Sequence, residues 1–359
     1  MFESLGFETL SAPQVSLFFA LIVGIAFGGL AEQTKFCFRR AVIGHDRRQA
    51  AGLWALALAV SVTAVQGAVY FEIITFEDHR FLTPEVPLMA AAVGGLLFGI
   101  GMVLSRGCAS RLTVLSGTGN MRALFTLILF GLAASATLKG PLSGARTALA
   151  AQTIDLGDAA TVASLLPFGL WSVAVIVAAL VIYALSSGNR VAHLVMAVAI
   201  GLLPAIAWVG TGYVLYDDFD PIAFESIAFT LPAADSLFWI IASTSVTAKF
   251  TVGLMAGVIV GAFVSALISR RLAWVGFDGP AQMGRYGLAA ILMGFGGVVA
   301  GGCTIGAGLS GIPTLSVAAI TTLAFIAIGA KVAERILNLI PSSREFGGSY
   351  TTLPQQPAE

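Results

Sequence analysis

Twice, 195 positions apart, an apolar run breaks at a glycine–cysteine pair. The first copy reads Gly99-Ile-Gly-Met-Val-Leu-Ser-Arg-Gly107-Cys108, and the second reads Gly294-Phe-Gly-Gly-Val-Val-Ala-Gly-Gly302-Cys303. Gly99 aligns with Gly294, Gly101 with Gly296 and Val103 with Val298, without a gap before either cysteine. The setting of these breaks follows from composition. The chain is 57% hydrophobic and 11% charged, whereas ordinary soluble domains are roughly 45–50% apolar and about 25% charged. An all-α polytopic membrane protein is therefore expected. At membrane depth, non-helical backbone survives only where protein or a polar route satisfies its amides. Matched breaks in two halves point to a pathway.

Apolar segments run over 15–31, 50–70, 87–104, 121–139, 166–185, 193–211, 237–268, 287–301 and 314–333. Several approach the roughly 20 residues that cross a bilayer. The 237–268 stretch exceeds one span and contains Lys249, so a short segment, a break and a full span from about Thr251 are expected. The windows 87–104 and 287–301 are short, and each runs to a Gly-Cys pair. Short, glycine-interrupted segments at corresponding positions of two halves mark a transporter's binding region. The halves are placed at 1–165 and 166–340, followed by a polar tail over 341–359.

Loop charge sets the expected orientation, because Lys and Arg are retained on the cytoplasmic side. Lys35, Arg39, Arg40, Arg47 and Arg48 put segment 31–48 inside, and Arg270, Arg271 and Arg285 do the same for 269–286. Segment 71–87 holds Glu72, Glu77, Asp78 and Glu85 against Arg80 alone, and 212–236 has no Lys or Arg. Both read as external. The Cys108 unit would then be entered from outside and the Cys303 unit from inside, as inverted repeats with broken or re-entrant helices. If each unit is a hairpin returning to its own side, the N-terminus lies outside and the C-terminus inside. Gly24 and Gly28 match Gly257 and Gly261, both as GxxxG, which extends the ladder. Close helix packing through small residues accounts for them equally well.

The breaks carry the chemistry. Gly107 and Gly302 let the backbone turn ahead of Cys108 and Cys303. If a helix starts at each, its free amides and dipole favour an anion. Thr304 and Ser110 add neutral donors, and Arg106 and Arg111 add positive charge on the first side only. A lone cysteine in apolar surroundings is ordinarily packing, but two at equivalent breaks argue for a role. A buried thiol keeps its proton, and so offers a soft neutral donor that holds an anion weakly enough to release it. Cys37, in Lys35-Phe36-Cys37-Phe38-Arg39-Arg40, has no mate in the repeat. Lys249 is an ionisable group in an apolar run, hence either a pathway residue or an interfacial anchor. Asp155 and Asp158 read as solvated loop charge.

The same features exclude other classes. Zero formal net charge gives no nucleic-acid surface,. Three cysteines without CxxC spacing and three isolated histidines give no metal or haem set, and no cofactor is expected,. The absence of GxxxxGK[ST] argues against direct ATP coupling,. The first apolar run lacks a basic leader and reads as a retained span.

Phe36-Cys37 after a glycine-rich span, together with the two glycine–cysteine units, gives the chain its family likeness. It resembles the YeeE/YedE family of bacterial inner-membrane proteins, which includes thiosulfate transporters and proteins linked to selenium metabolism. The likeness extends to about residue 335. It implies an hourglass-like helical protein whose loops dip toward its centre, where thiols pass thiosulfate along by transient hydrogen bonds. Carried onto this chain, the relay falls on Cys37, Cys108 and Cys303. Thiosulfate uptake across the cytoplasmic membrane is then expected, with no enzymatic activity. Any sulfur-carrier protein would be a separate chain, since no such domain follows the last helix. Another sulfur or selenium oxyanion, such as sulfite or selenite, remains an alternative. So do a membrane sulfurtransferase and a structural scaffold.

Overall fold

Lipid offers the backbone no hydrogen-bond partners, so each apolar run must satisfy its own amides as helix. The computed structural model describes residues 11–77, 79–157, 161–165, 169–217 and 220–339. In chain order the helices are α1 (Ala12–Thr34), α2 (Phe38–Ile43), α3 (Arg47–Tyr70), α4 (Leu88–Leu104), α5 (Ala109–Gly117), α6 (Met121–Leu138) and α7 (Ser143–Ala150). They continue with α8 (Val162–Leu165), α9 (Leu170–Leu185), α10 (Val191–Val209), α11 (Thr230–Ile241), α12 (Phe250–Ile268), α13 (Pro280–Val299) and α14 (Val317–Leu339). Among the described residues, eight helical segments are long and apolar enough to cross a membrane. The protein is an all-α, multi-pass membrane protein.

The 237–268 run divides as its length required: α11 ends at Ile241, and Lys249 is the N-cap of α12. Helix α13 begins at Pro280 rather than 287, because proline at the first helical turn presets φ and lacks only an amide that would be unpaired there,. Asp155 lies in a two-residue strand, Ile154–Asp155, paired antiparallel with Glu85–Val86. Asp78, Asp158 and the tail from Pro341, with Arg344, fall outside the described residues.

Helix directions follow from the contacts. Gly24 lies against Leu254 and Gly257, and Gly28 against Val258 and Ala262, so α1 and α12 run side by side in the same direction. A Cβ on Gly24 would stand 2.5 Å from the Leu254 carbonyl oxygen, which explains the glycine. These GxxxG pairs are thus a packing seam and not an extension of an inverted repeat, whose members would run oppositely. The Cys-bearing units behave differently: Gly94 meets Gly296 and Ala300 while Gly101 meets Ala289 and Met293, so α4 and α13 are antiparallel.

Two faces result. On one, Arg271 pairs with Glu32 at 3.3 Å, Gln33 donates to Ser269 Oγ at 2.6 Å, and Arg48 donates to the Ser186 carbonyl at 2.6 Å. Both basic loops, 35–46 and 269–279, therefore share this basic face. On the other, Phe76 stacks on Phe224 with centroids 5.2 Å apart, which joins the acidic loops after α3 and α10. Helix α1 enters from the acidic face and α14 ends at the basic one, as its alignment alongside α4 requires: Gly95 meets Thr322, and Gly99 meets Ala330.

Candidate functional site

All three cysteines occupy helix N-cap positions, with extended backbone. Cys37 precedes α2 (φ −162°, ψ 126°) and Cys108 precedes α5 (φ −78°, ψ 168°). Cys303 precedes a π-helical turn, Thr304–Gly311 (φ −95°, ψ −175°). The expectation that a helix starts at each Gly-Cys break holds in both copies. The amides of the first turn of α5 and of the wider π turn point back toward their thiols. Gly306 N–H donates to Cys303 Sγ at 3.4 Å, and Ala307 N–H to the Cys303 carbonyl at 2.8 Å. All three thiols are buried, none is in a disulfide, and they belong to one contiguous core cluster.

The Cys108 break lies beyond 17 helical residues that start at the acidic face, so it reaches toward the basic side. Arg106 takes a left-handed φ of 60° to make the bend. Ser105 Oγ lies 2.9 Å from the Gly101 carbonyl and 3.0 Å from that of Gly107, which pins the unwound turn. Cys108 Sγ lies 3.2 Å from Ser110 Oγ and 3.8 Å from Cys37 Sγ. Cys37, which has no counterpart in the repeat, is thus the partner of Cys108. Arg111 is half-buried beside this pair, with Nη1 donating to the Ala31 carbonyl at 3.5 Å. Arg40, one of the basic neighbours of Cys37, is bound to Asp46.

Helix α13 enters from the basic face and crosses rather than turning back to its own side, and the π turn that follows Cys303 is re-entrant from the acidic face. After the 20 residues of α13, the π turn descends beside α3, where Ser61 Oγ donates to the Leu309 carbonyl at 2.8 Å and Gly308 meets the Trp54 ring. It returns by Pro313, whose carbonyl accepts from Gln66 at 2.7 Å. A second re-entrant segment lies alongside it. The chain before α11 reaches inward to Phe229, whose ring is 5.4 Å from Phe27, and α11 climbs back to Phe238, under Lys139. Ser310 donates to the Ile227 carbonyl at 2.6 Å and Trp208 Nε1 to the Ser310 carbonyl at 3.1 Å, so the two segments are tied together. The π turn also touches α5.

A cavity of about 420 Å³ opens on the acidic face above this unit, lined by Gly302, Gly306, Ser310, Thr230, Arg80 and Glu225 among others. Thr304 Oγ1 and Thr230 Oγ1 are buried without a hydrogen-bond partner among the described residues, and so is Trp54 Nε1. Buried donors seldom go unpaired. Trp54 is the residue that sequence reasoning missed. It stacks on Phe36 (5.3 Å, 14°) and meets Phe38 edge-on (4.9 Å), while its far edge faces Gly308. It therefore bridges the Cys37–Cys108 side and the Cys303 side. A tryptophan in a span is ordinarily core, and periodicity offers no signal to single it out.

Gly107, Gly302 and Thr304 fall at the breaks as expected, and Arg106 and Arg111 on the basic side. Lys249 does not join the thiols. It is exposed at the acidic-face end of α12, and its charge acts on Glu225.

The family model described as sulphur transport matches residues 33–332. The thiosulfate transporter TsuA of Escherichia coli (strain K12) is 28% identical over 358 residues, covering 90% of this chain and 95% of that protein. The thiosulfate transporter TsuA of Spirochaeta thermophila is 27% identical over 331 residues, covering 86% and 95%. The family match spans all three cysteines and both broken units. The chain belongs to the sulphur-transport family of YeeE/YedE membrane proteins, and is a transport protein rather than an enzyme.

Proposed function

We propose that the protein carries thiosulfate inward across the cytoplasmic membrane, passing it from Cys303 to the Cys37–Cys108 pair. The observation that carries this reading is three buried thiols at three N-caps in one core, two of them facing each other at 3.8 Å. The basic face is the cytoplasmic one, by the retention of Lys and Arg there. The anion enters the acidic-face cavity, where Arg80 supplies positive charge and Thr230 and the Gly302–Gly306 backbone supply donors. Cys303 and Thr304 take it at the constriction. Trp54 N–H hands it on to Cys108 and Cys37, with Arg111 and Arg106 drawing it toward the basic side. Thiols suit this task because a route needs sites that bind weakly enough to release. The halves 1–165 and 166–340 supply opposed breaks around one constriction, and their antiparallel α4 and α13 support an inverted relation.

Uptake of labelled thiosulfate into proteoliposomes holding the full chain, with sulfite, sulfate and selenite as competitors, tests this reading. Saturable uptake that thiosulfate competes best is expected. No uptake above empty liposomes, or stronger competition by another oxyanion, overturns the substrate assignment.

A further inference from the structure

The acidic-face cavity holds a carboxylate where an anion route would be expected to avoid one. Glu225 lines it together with Arg80, and the two do not form a direct ion pair. The position of Glu225 is built. Thr211 Oγ1 donates to the Glu225 carbonyl at 2.8 Å and accepts from its N–H at 3.2 Å, so one hydroxyl clamps both backbone groups. Ser226, the next residue, donates to the Pro204 carbonyl at 2.8 Å. The charged groups acting on Glu225 are Asp235 from α11, Lys249 at the start of α12 and Arg80 from the loop before α4. His79, also in the lining, is packed among Phe76, Trp208 and Phe224.

We propose that Glu225 is a proton-binding carboxyl that governs admission of the anion to this cavity. With the carboxyl ionised, its charge cancels that of Arg80 and repels a dianion. With the carboxyl neutral, it no longer offsets the Arg80 charge and the O–H adds a donor. The inference rests on the transport reading and adds a proton to it.

The sign is fixed by the groups present. Burial pushes the Glu225 carboxyl up to about 7, the negative charge of Asp235 adds to this, and Arg80 and Lys249 oppose it. Burial and the neighbouring Arg80 hold His79 down at about 4, so this imidazole stays neutral above pH 5 and cannot be the switch. Thiosulfate itself remains a dianion across this range. As pH falls through 7, Glu225 gains its proton and the cavity becomes receptive. A carboxyl titrating there goes from about one-tenth to about nine-tenths protonated between pH 8 and pH 6. If only the protonated form binds, apparent affinity rises roughly tenfold.

The experiment measures initial uptake of labelled thiosulfate into proteoliposomes at fixed internal pH, with external pH stepped from 8.5 to 5.5. The wild-type apparent KM should fall roughly tenfold from pH 8 to pH 6. Glu225→Gln should lose that dependence and keep the low-pH KM throughout. A flat wild-type profile, or a Glu225→Gln profile that keeps the wild-type slope, overturns the inference. If Glu225→Gln does not fold, Asp235→Asn carries the test, since removing that charge should move the wild-type midpoint to lower pH; an unmoved midpoint overturns it. Absence of uptake at every pH defeats the transport reading instead. The same pH series is then read as thiosulfate binding to the purified protein, where pH-independent binding overturns the role of Glu225.

Discussion

Cys37 Sγ and Cys108 Sγ stand 3.8 Å apart, brought together from the N-caps of α2 and α5 across 71 residues of chain. A small approach would bring them to bonding distance. Treatment with diamide should remove two electrons and two protons from the pair, forming one disulfide as the diazene becomes a hydrazine. Thiosulfate uptake should fall with that cross-link and return with dithiothreitol, while Cys303 stays open to alkylation under denaturing conditions. Peptide mapping checks it. Cross-linking through Cys303, or a Cys37–Cys108 disulfide without loss of uptake, would remove this pair from the route.

Trp54 separates packing from hydrogen bonding. Trp54→Phe keeps an aromatic ring against Phe36 but removes the unpaired Nε1–H together with the outer part of the indole that faces Gly308. Uptake should fall several-fold, with a smaller loss of thermal stability in detergent than Trp54→Ala causes. Trp54→Ala should cost about 3–5 kcal/mol through the cavity it leaves. Equal uptake by wild type and Trp54→Phe would show that the ring fills space and nothing more.

The spans were legible because lipid leaves helix as the one way to bury a run of apolar backbone. The breaks were legible because glycine and cysteine recur in register at Cys108 and Cys303. Depth was not, and glycine spacing misled on relative direction where loop charge did not. The GxxxG motifs at Gly24 and Gly257 read as repeat partners, yet α1 and α12 run in parallel, since small-residue spacing records closeness and not polarity,. The pairing of Cys37 with Cys108 was hidden because it depends on where α4 unwinds, at a left-handed Arg106 that no propensity favours. Glu225 reads in the sequence as one more external acid of segment 212–236, because burial inside a re-entrant loop has no signature in local composition.

At Cys303 the choice between polarity and softness can be measured. Its Sγ accepts from Gly306 N–H at 3.4 Å within a fully buried turn. Cys303→Ala should abolish uptake while leaving protein in the membrane. Cys303→Ser retains more activity than Cys303→Ala only if any donor at that position suffices. Uptake by Cys303→Ala at the wild-type rate would dismiss the thiol from transport.

Arg106 tests whether charge beside the break matters or only its backbone. Its φ of 60° makes the bend, and any replacement must adopt it. Arg106→Gln changes charge with little change of shape, so a raised KM for thiosulfate at equal expression is expected. Arg106→Gly relieves the left-handed strain and also removes the charge, so it should raise KM alike while leaving stability equal or higher. An unchanged KM in both variants would leave Arg106 a bend residue alone.

The seam between α1 and α12 brings backbone against backbone, and one methyl group should disturb it. A Cβ on Gly28 would strike the Val258 carbonyl, with backbone on both sides and no flexible tip to yield. Gly28→Ala should therefore force the helices apart at a cost of about 1–3 kcal/mol, read as a lower midpoint in a detergent thermal melt. Gly67, in α3, is the control, because nothing lies within 4 Å of its added Cβ. Gly67→Ala should gain roughly 0.5–1 kcal/mol from restricted backbone. The opposite signs predicted for the same chemical change make the comparison decisive. A melt in which Gly28→Ala is as stable as Gly67→Ala would mean that α1 and α12 do not meet backbone to backbone.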